Sequence, residues 1–390
     1  MITTVLPPRH LARCAMLLGA LAAPCAALAL ENCDVGGQPV NPANGYTTQD
    51  KTGIMRCRDR ETGVILREQE LRAGRFIGLD RTYRDGKLAR ERQVNDRGNT
   101  DGAAREFAPN GQVLLDALYE NGERVGLSRA WHPDGTLRRA AVAAKARDER
   151  AFAEFTPRGQ LRDIGCGTQP LLAPTVDDAR LCGFNGPSRL EFFRDDGTVQ
   201  SRATFENGKR TRFETLHDNG SVNQQQEVTG GSRIDRSFNR EGVKRREVVW
   251  SLSGTVALME RDQEFAASGA LARDRRWARG ELASEEVFFL NGQPRSKNLY
   301  ALDGNLRSME STTFHDNGQL ASSGRFLTPG RGPQLATGTH KRFDAAGKPR
   351  AETVYDDQGR PTRQREWDES GKLVRDDAVF EDGSRKAFAR

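Results

Sequence analysis

Phe314-His315-Asp316-Asn317-Gly318-Gln319-Leu320 is one copy of a phrase that runs through almost the whole chain. The phrase is an aromatic or large apolar residue, two or three polar residues, Asn-Gly or Asp-Gly, one further residue and an aliphatic. Tyr83-Arg84-Asp85-Gly86-Lys87-Leu88 and Trp131-His132-Pro133-Asp134-Gly135-Thr136-Leu137 are equally clear copies. Asn-Gly and Asp-Gly readily adopt the positive φ values of tight hairpin turns. The flanking stretches alternate polar and apolar, as in Arg189-Leu190-Glu191-Phe192 and Arg202-Ala203-Thr204-Phe205, the period of a strand with one covered face.

The glycines of the phrase measure the repeat. Gly86 to Gly111 is 25 residues, and Gly111 to Gly135 and Gly135 to Gly159 are 24 each. Gly98 and Gly122 are also 24 apart, and Gly347, Gly359, Gly371 and Gly383 follow one another at intervals of 12. A fixed period of this length marks an array of stacked units. A lone hairpin is marginal in water, so the hairpins must pair edge to edge. The expected fold is therefore all-β: an elongated array of stacked antiparallel β-hairpin repeats. Its unit is about 24 residues with two half-units of about 12, and the aromatics before the turns form a ladder along one face.

Composition agrees with a thin architecture. Only 36% of the 390 residues are hydrophobic, while glycine reaches 40 residues, too little apolar material for a thick core. Aromatics recur at regular places, unlike the depletion seen in disordered chains. The formal charge is +6, carried by 60 basic residues against 54 acidic ones. The two signs are interleaved throughout, which describes a solvated mixed-charge surface. No basic cluster of the kind that tracks a phosphate backbone stands out, so nucleic acid is not expected as a partner.

The start of the chain has the organisation of a secretory signal over residues 1–29. Arg9 and Arg13 precede an apolar run from Ala15 to Leu30, and Ala27-Leu28-Ala29 forms a small-x-small cleavage site. The expected mature protein is exported, periplasmic or surface-associated. Four cysteines remain beyond it: Cys33, Cys57, Cys166 and Cys182. An even number in an exported chain implies disulfides, and the local pairing Cys33–Cys57 and Cys166–Cys182 is favoured. Each bond closes a short segment, worth about 3 kcal/mol in the chain-entropy picture. The spacings are not of the Cys-x-x-Cys kind and no histidines cluster nearby, so no metal site is expected.

The domain organisation follows from where the phrase is present. Residues 30–160 form a first hairpin array behind a Gly/Pro/Asn-rich lead, expected to be a loop tied down by Cys33. Residues 161–187 break the rhythm with Ile164-Gly165-Cys166-Gly167, Pro170-Leu171-Leu172-Ala173-Pro174 and Leu181-Cys182-Gly183-Phe184. Periodicity does not explain this cysteine-clipped junction. A structural plug is its first expected role, and Leu171, Leu172, Asp177, Asp178 and Phe184 are its candidate contacts to a partner. Residues 188–390 form a second array. An extended loop is expected at Thr328-Pro329-Gly330-Arg331-Gly332-Pro333.

The copies Phe193-Arg194-Asp195-Asp196-Gly197-Thr198-Val199, Phe205-Glu206-Asn207-Gly208-Lys209 and Tyr119-Glu120-Asn121-Gly122 resemble the MORN-repeat variant of antitoxin-like bacterial proteins. The resemblance covers about residues 55–160 and 188–388. The Gly-x-Gly ending of the standard MORN repeat is mostly missing. The resemblance implies a β-hairpin array used for binding or scaffolding.

No motif for chemistry stands outside the repeat. His132, His217 and His315 share one turn position, and His340 is the remaining histidine of the mature chain. Trp131, Trp250, Trp277 and Trp367 are expected in the aromatic position, and Asp195-Asp196 and Asp356-Asp357 are turn residues. Gly-x-Ser-x-Gly elbows and Gly-rich phosphate loops are absent from the sequence. The expected protein is non-enzymatic, without catalytic, cofactor-binding or metal residues. It offers a protein-binding or scaffolding surface in the cell envelope. The alternatives are an immunity or antitoxin-like neutraliser of an exported toxin, and a binder of envelope lipid or glycan at a membrane or cell-wall surface.

Overall fold

The computed structural model describes residues 31–145, 148–253, 256–303, 306–329 and 332–389. The expected signal segment 1–29 lies outside them, as do Gly254, Gly304 and the Gly330-Arg331 step of the expected loop. Nearly all regular structure is antiparallel strand, and neither of the two sheets closes into a barrel. The fold is thus the stacked-hairpin array anticipated from the glycine spacing. The chain divides into two compact units between Asn99 and Thr100.

In the first unit, the lead is not a loop. Glu31–Val35 and Gln38–Val40 are strands joined by Gly36-Gly37, whose φ angles of 59° and 83° are those of a tight mirror-image turn. Glu31–Val35 pairs with Gly53–Asp59 in a register that sets Cys33 opposite Cys57, and the two cysteines are bonded. Cys33, Val35, Val40, Met55, Cys57 and Leu71 make a small core. The strands Ile65–Arg72, Arg75–Arg84 and Lys87–Val94 extend this sheet in chain order.

In the second unit, the strands from Thr100–Phe107 to Leu161–Gly165 pair in chain order. A second sheet of 17 strands runs, again in chain order, from Ser188–Phe193 to Arg385–Ala389. Between them lies the junction, closed by the Cys166–Cys182 disulfide. Leu172, Val176 and Cys182 of the junction join Ala140, Ala151, Ala153 and Ile164 of the first sheet and Phe192, Ala203 and Phe205 of the second in one apolar core. The two rows of hairpins therefore share a core only where the repeat stops.

The half-units are not equivalent, a distinction the glycine count alone does not make. One class of turn has two central residues at positive φ, such as Asn207 at 49° and Gly208 at 77°, closed by the Glu206–Lys209 pair. The other has a loop one residue longer. Gly197 N–H donates to the Arg194 carbonyl and Arg194 N–H to the Thr198 carbonyl, both at 2.9 Å, a type I turn followed by a glycine bulge. The register shifts at Phe193, and the same shift falls at Phe107, Phe155, Phe238, Phe265, Phe288, Phe314, Phe343, Tyr355 and Trp367. It falls equally at Tyr83 and Phe205 before tight turns, so the aromatic marks a register step in both classes. Trp131 and Trp367 precede the longer turns, whereas Trp250 and Trp277 lie at register shifts within strands that lead to the opposite ends. Consecutive turns lie at opposite ends of the strands. Between Gly197 and Gly292 the described turns alternate in class, so each end of the strands carries one kind.

Candidate functional site: an open charged cleft and its surroundings

The histidines of the phrase are engaged in holding turns together. The Nε2–H of His132 donates to the Phe155 carbonyl at 3.2 Å, that of His217 to Phe238 at 3.1 Å and that of His315 to Phe343 at 3.1 Å. Each acceptor opens the next bulged turn on the same end of the strands. The asparagines of the phrase form a parallel row of bonds. Asn219 Oδ1 accepts from its own turn at Ser221 N, while its Nδ2–H donates to the Arg240 carbonyl of the next turn at 2.9 Å. Asn291 and Asn317 reach Asp316 and Ala345 in the same way, at 2.8 and 2.7 Å. Asp replaces Asn where only the internal bond is made, as at Asp196 with Thr198. Those bonds from Thr198 are the main reason the Asp196 carboxyl sits below its ordinary value. His340 differs: it lies in a strand over Gly324, edge-on to Phe326 and Tyr355, each ring centre 4.9 Å away. Its ring fills space that a side chain at position 324 would occupy, the repair an aromatic makes over a strand glycine.

The acids of the second sheet are paired across strands. Arg246 grips Asp262 with two bonds of 2.9 Å, and Arg275 adds a third at 2.6 Å. Arg261 grips Asp274 at 2.9 and 2.8 Å, with Arg276 beside it, and Arg363 holds Asp376 in the same two-pronged geometry at 2.8 Å. Asp262, Asp274 and Asp376 are all buried, each in a strand paired on both sides by its chain neighbours. The arginine stems supply the cover. Burial raises the Asp274 carboxyl, but bonding and charge from Arg261 and Arg276 outweigh it and hold the group below the ordinary carboxylate value. Glu247 is held down similarly: Arg236 and Lys244 override its burial. In the first unit, burial and the bond to Glu68 push the Tyr83 phenol up to about 12.

The five junction residues are brought together by the fold. Leu172 is fully buried and Asp178 is 1% exposed. Asp178 Oδ2 accepts from the backbone N–H of Leu171 at 2.6 Å and of Leu172 at 3.0 Å. Asp177 caps the short helix Asp178–Leu181 by accepting from Arg180 N–H. Leu171 and Phe184 pack on the shared core. Glu31 lies beside Cys33 and Cys57 with the spacing of a metal cluster, but both sulfur atoms are used in the disulfide.

A cleft of about 1000 Å³ lies on the opening strands of the second sheet, Ser188–Phe193, Val199–Glu206, Lys209–Leu216 and Val222–Thr229. Arg189, Glu191, Arg202, Arg212, Glu214 and Glu227 line it. Arg202 pairs with Glu191 at 2.9 Å and Arg212 with Glu214 at 2.5 Å. No part of the sequence phrase points to this cleft. Its signal is the run of alternating charges on one face of consecutive strands, visible once the register is known. The wall carries both signs and exposed side chains, chemistry suited to a polar, charge-patterned surface. Fold and cleft together define an open β-hairpin-array protein.

No protein family and no curated protein matches the chain. Solved structures with distant likeness include TcdB2-TccC3-Cdc42, at 9% identity over 86% of this chain and 20% of that chain, TM-score 0.18. TcdB2-TccC3-TEV is at 10% identity over 87% and 20%, TM-score 0.19. A putative 6-phosphogluconolactonase from Bacteroides uniformis is at 11% identity over 87% and 91%, TM-score 0.10. The chain spans about a fifth of the length of the first two. At these scores the likenesses carry no argument about role.

Proposed function

We propose that the chain is an exported, non-enzymatic repeat protein that presents the open face of its second sheet to a protein partner in the cell envelope. The observation behind this reading is the cleft of about 1000 Å³, with both signs of charge on side chains from four successive strands. Charge-patterned surfaces of this kind select partners and their orientation more than they add raw affinity. Among the described residues, His132, His217 and His315 serve turn-to-turn bonds, and the buried acids of the second sheet face arginines. These groups are committed to the fold, which favours a binding role over catalysis.

The test is affinity capture from the native envelope with residues 31–390 as bait, beside a bait carrying Arg189→Glu and Glu227→Arg. A stoichiometric protein retained by the first bait and lost from the second supports the reading. Equal retention by both places the contact elsewhere, and retention on lipid vesicles or cell-wall material without any protein favours an envelope binder.

A further inference from the structure

The two disulfides differ in what can reach them and in what they hold. In the first unit, Cys33 is 7% exposed and Cys57 is fully buried. In the junction, Cys182 is 1% exposed, while Cys166 is only half-buried. Exchange with an external thiol needs access to one sulfur. Cys166 offers it, and both cysteines of the first unit deny it.

The junction bond also governs a larger piece of structure. The segment it closes delivers Leu172 and Val176 to the core shared by the two rows of strands. The same segment receives the tight turn of the second sheet: Asn207 N–H donates to the Gly183 carbonyl at 3.0 Å and Gly208 N–H to the Cys182 carbonyl at 2.9 Å. Ser188 Oγ–H donates to the Leu181 carbonyl at 2.5 Å, just where the second sheet begins. Gly208 has no room to move aside, because a Cβ there would meet the Gly167 carbonyl oxygen at 2.3 Å. The remaining ion pair across the junction, Arg162 with Asp195, is exposed and weak for that reason.

We propose that Cys166–Cys182 is a reducible latch that keeps the junction docked between the two rows of strands of the second unit. A dithiol reductant supplies the electrons. Its thiolate attacks Cys166 Sγ, and the protein S–S bond breaks with its electron pair on Cys182 Sγ, which takes up a proton. The second thiol of the reductant then closes a disulfide within the reductant and leaves Cys166 as a thiol. The protein gains two electrons and two protons, and the dithiol loses the same. Once open, the segment is held at its ends and by the bonds from Asn207, Gly208 and Ser188, with no covalent link across it. Leu172 and Val176 leave the core, and Phe192 and Phe205 become accessible.

The test uses the folded full-length mature chain and dithiothreitol as the reductant. Differential alkylation with mass spectrometry follows each cysteine, and pulsed hydrogen exchange follows the backbone. Cys166 and Cys182 are expected to be alkylated at a dithiol concentration about tenfold below that needed for Cys33 and Cys57. Over the same range, the amides of Leu172, Cys182, Asn207 and Gly208 lose protection by about tenfold or more, while those of Gly53–Asp59 are unchanged. Simultaneous reduction of both bonds overturns the proposal. So does complete alkylation of Cys166 and Cys182 with the junction amides still protected. A Cys166→Ser/Cys182→Ser double variant is the second arm: native-like protection at 171–183 in that variant also contradicts a latch.

Discussion

The junction and the middle of the second sheet are both buried, and they are buried by opposite means. Around Leu172 the cover is apolar: alanines and phenylalanines from two rows of strands close over a disulfide-clipped segment. Around Asp262 it is polar: Arg246 and Arg275 lie across a carboxylate that is 2% exposed. The difference follows from layers. A segment with structure on both sides can exclude water with methyl groups. Around Asp262 no apolar cluster forms among the described residues, and long charged side chains supply the cover instead, with stems against the strands and heads paired in two-pronged geometry. With 36% hydrophobic residues, the chain uses the first solution at the junction and in the small core around Met55 and Leu71, and the second around Asp262.

The contrast can be broken from either side. Leu172→Ala removes a fully buried side chain from a well-filled core and is expected to cost about 2–5 kcal/mol, measured as a shift of the urea midpoint. A loss below about 0.5 kcal/mol would mean that the junction is not a core. Asp262→Ala leaves Arg246 without its carboxylate and Arg275 with Glu264 alone. The Arg246 side chain is half exposed at 50%, so water compensates in part and the expected loss is about 1–3 kcal/mol in thermal unfolding. Replacing all three side chains by apolar residues of similar length should recover part of that loss. Recovery beyond the native value would show that the arginine cover serves something other than stability.

Acid separates the two regions more gently. Asp274 and Glu247 have carboxyls held below the ordinary value in the folded protein. Unfolded carboxyls titrate near 4, so both states are ionised above about pH 5 and the stabilisation is complete there. It is lost as pH falls from that range through the lowered folded values. Unfolding midpoints should therefore decline below about pH 4, and an Asp274→Ala variant should decline less than the parent. The smallest effect is expected at the turns. Asn219→Ala removes the internal bond to Ser221 and the bond to Arg240, both exposed, for about 0.5–1 kcal/mol. Asn219→Asp should keep the first bond, lose the second and fall in between.

Much of the array was legible because the glycines of Asn-Gly and Asp-Gly mark each reversal. The turns at Gly135, Gly159, Gly347, Gly359, Gly371 and Gly383 all stand where the spacing put them. Ala73-Gly74 and Arg279-Gly280 were not legible by that rule: Ala73 and Arg279 take positive φ, at 47° and 55°, without being Asn, Asp or Gly. The two turn classes were visible in principle. Phe205-Glu206-Asn207-Gly208 and Phe193-Arg194-Asp195-Asp196-Gly197 differ by one residue between aromatic and glycine, and the longer spacing goes with the type I turn and glycine bulge. The arginine–aspartate rows were hidden for a different reason. Interleaved charges describe a solvated surface equally well until register places Asp262 opposite Arg275. The charged cleft required the same knowledge.

The central claim is that one chain is held by an apolar core at the junction and by charged cross-strand rows in the second sheet. Hydrogen-exchange pulse labelling of the protein equilibrated at steps from pH 7 to pH 2.5 tests it directly. The account predicts that the strands Lys244–Ser253, Val256–Phe265 and Leu271–Ala278 lose protection first, below about pH 4, while Ile164, Leu172 and Phe205 stay protected. Loss of protection at the junction before or together with those strands would contradict it.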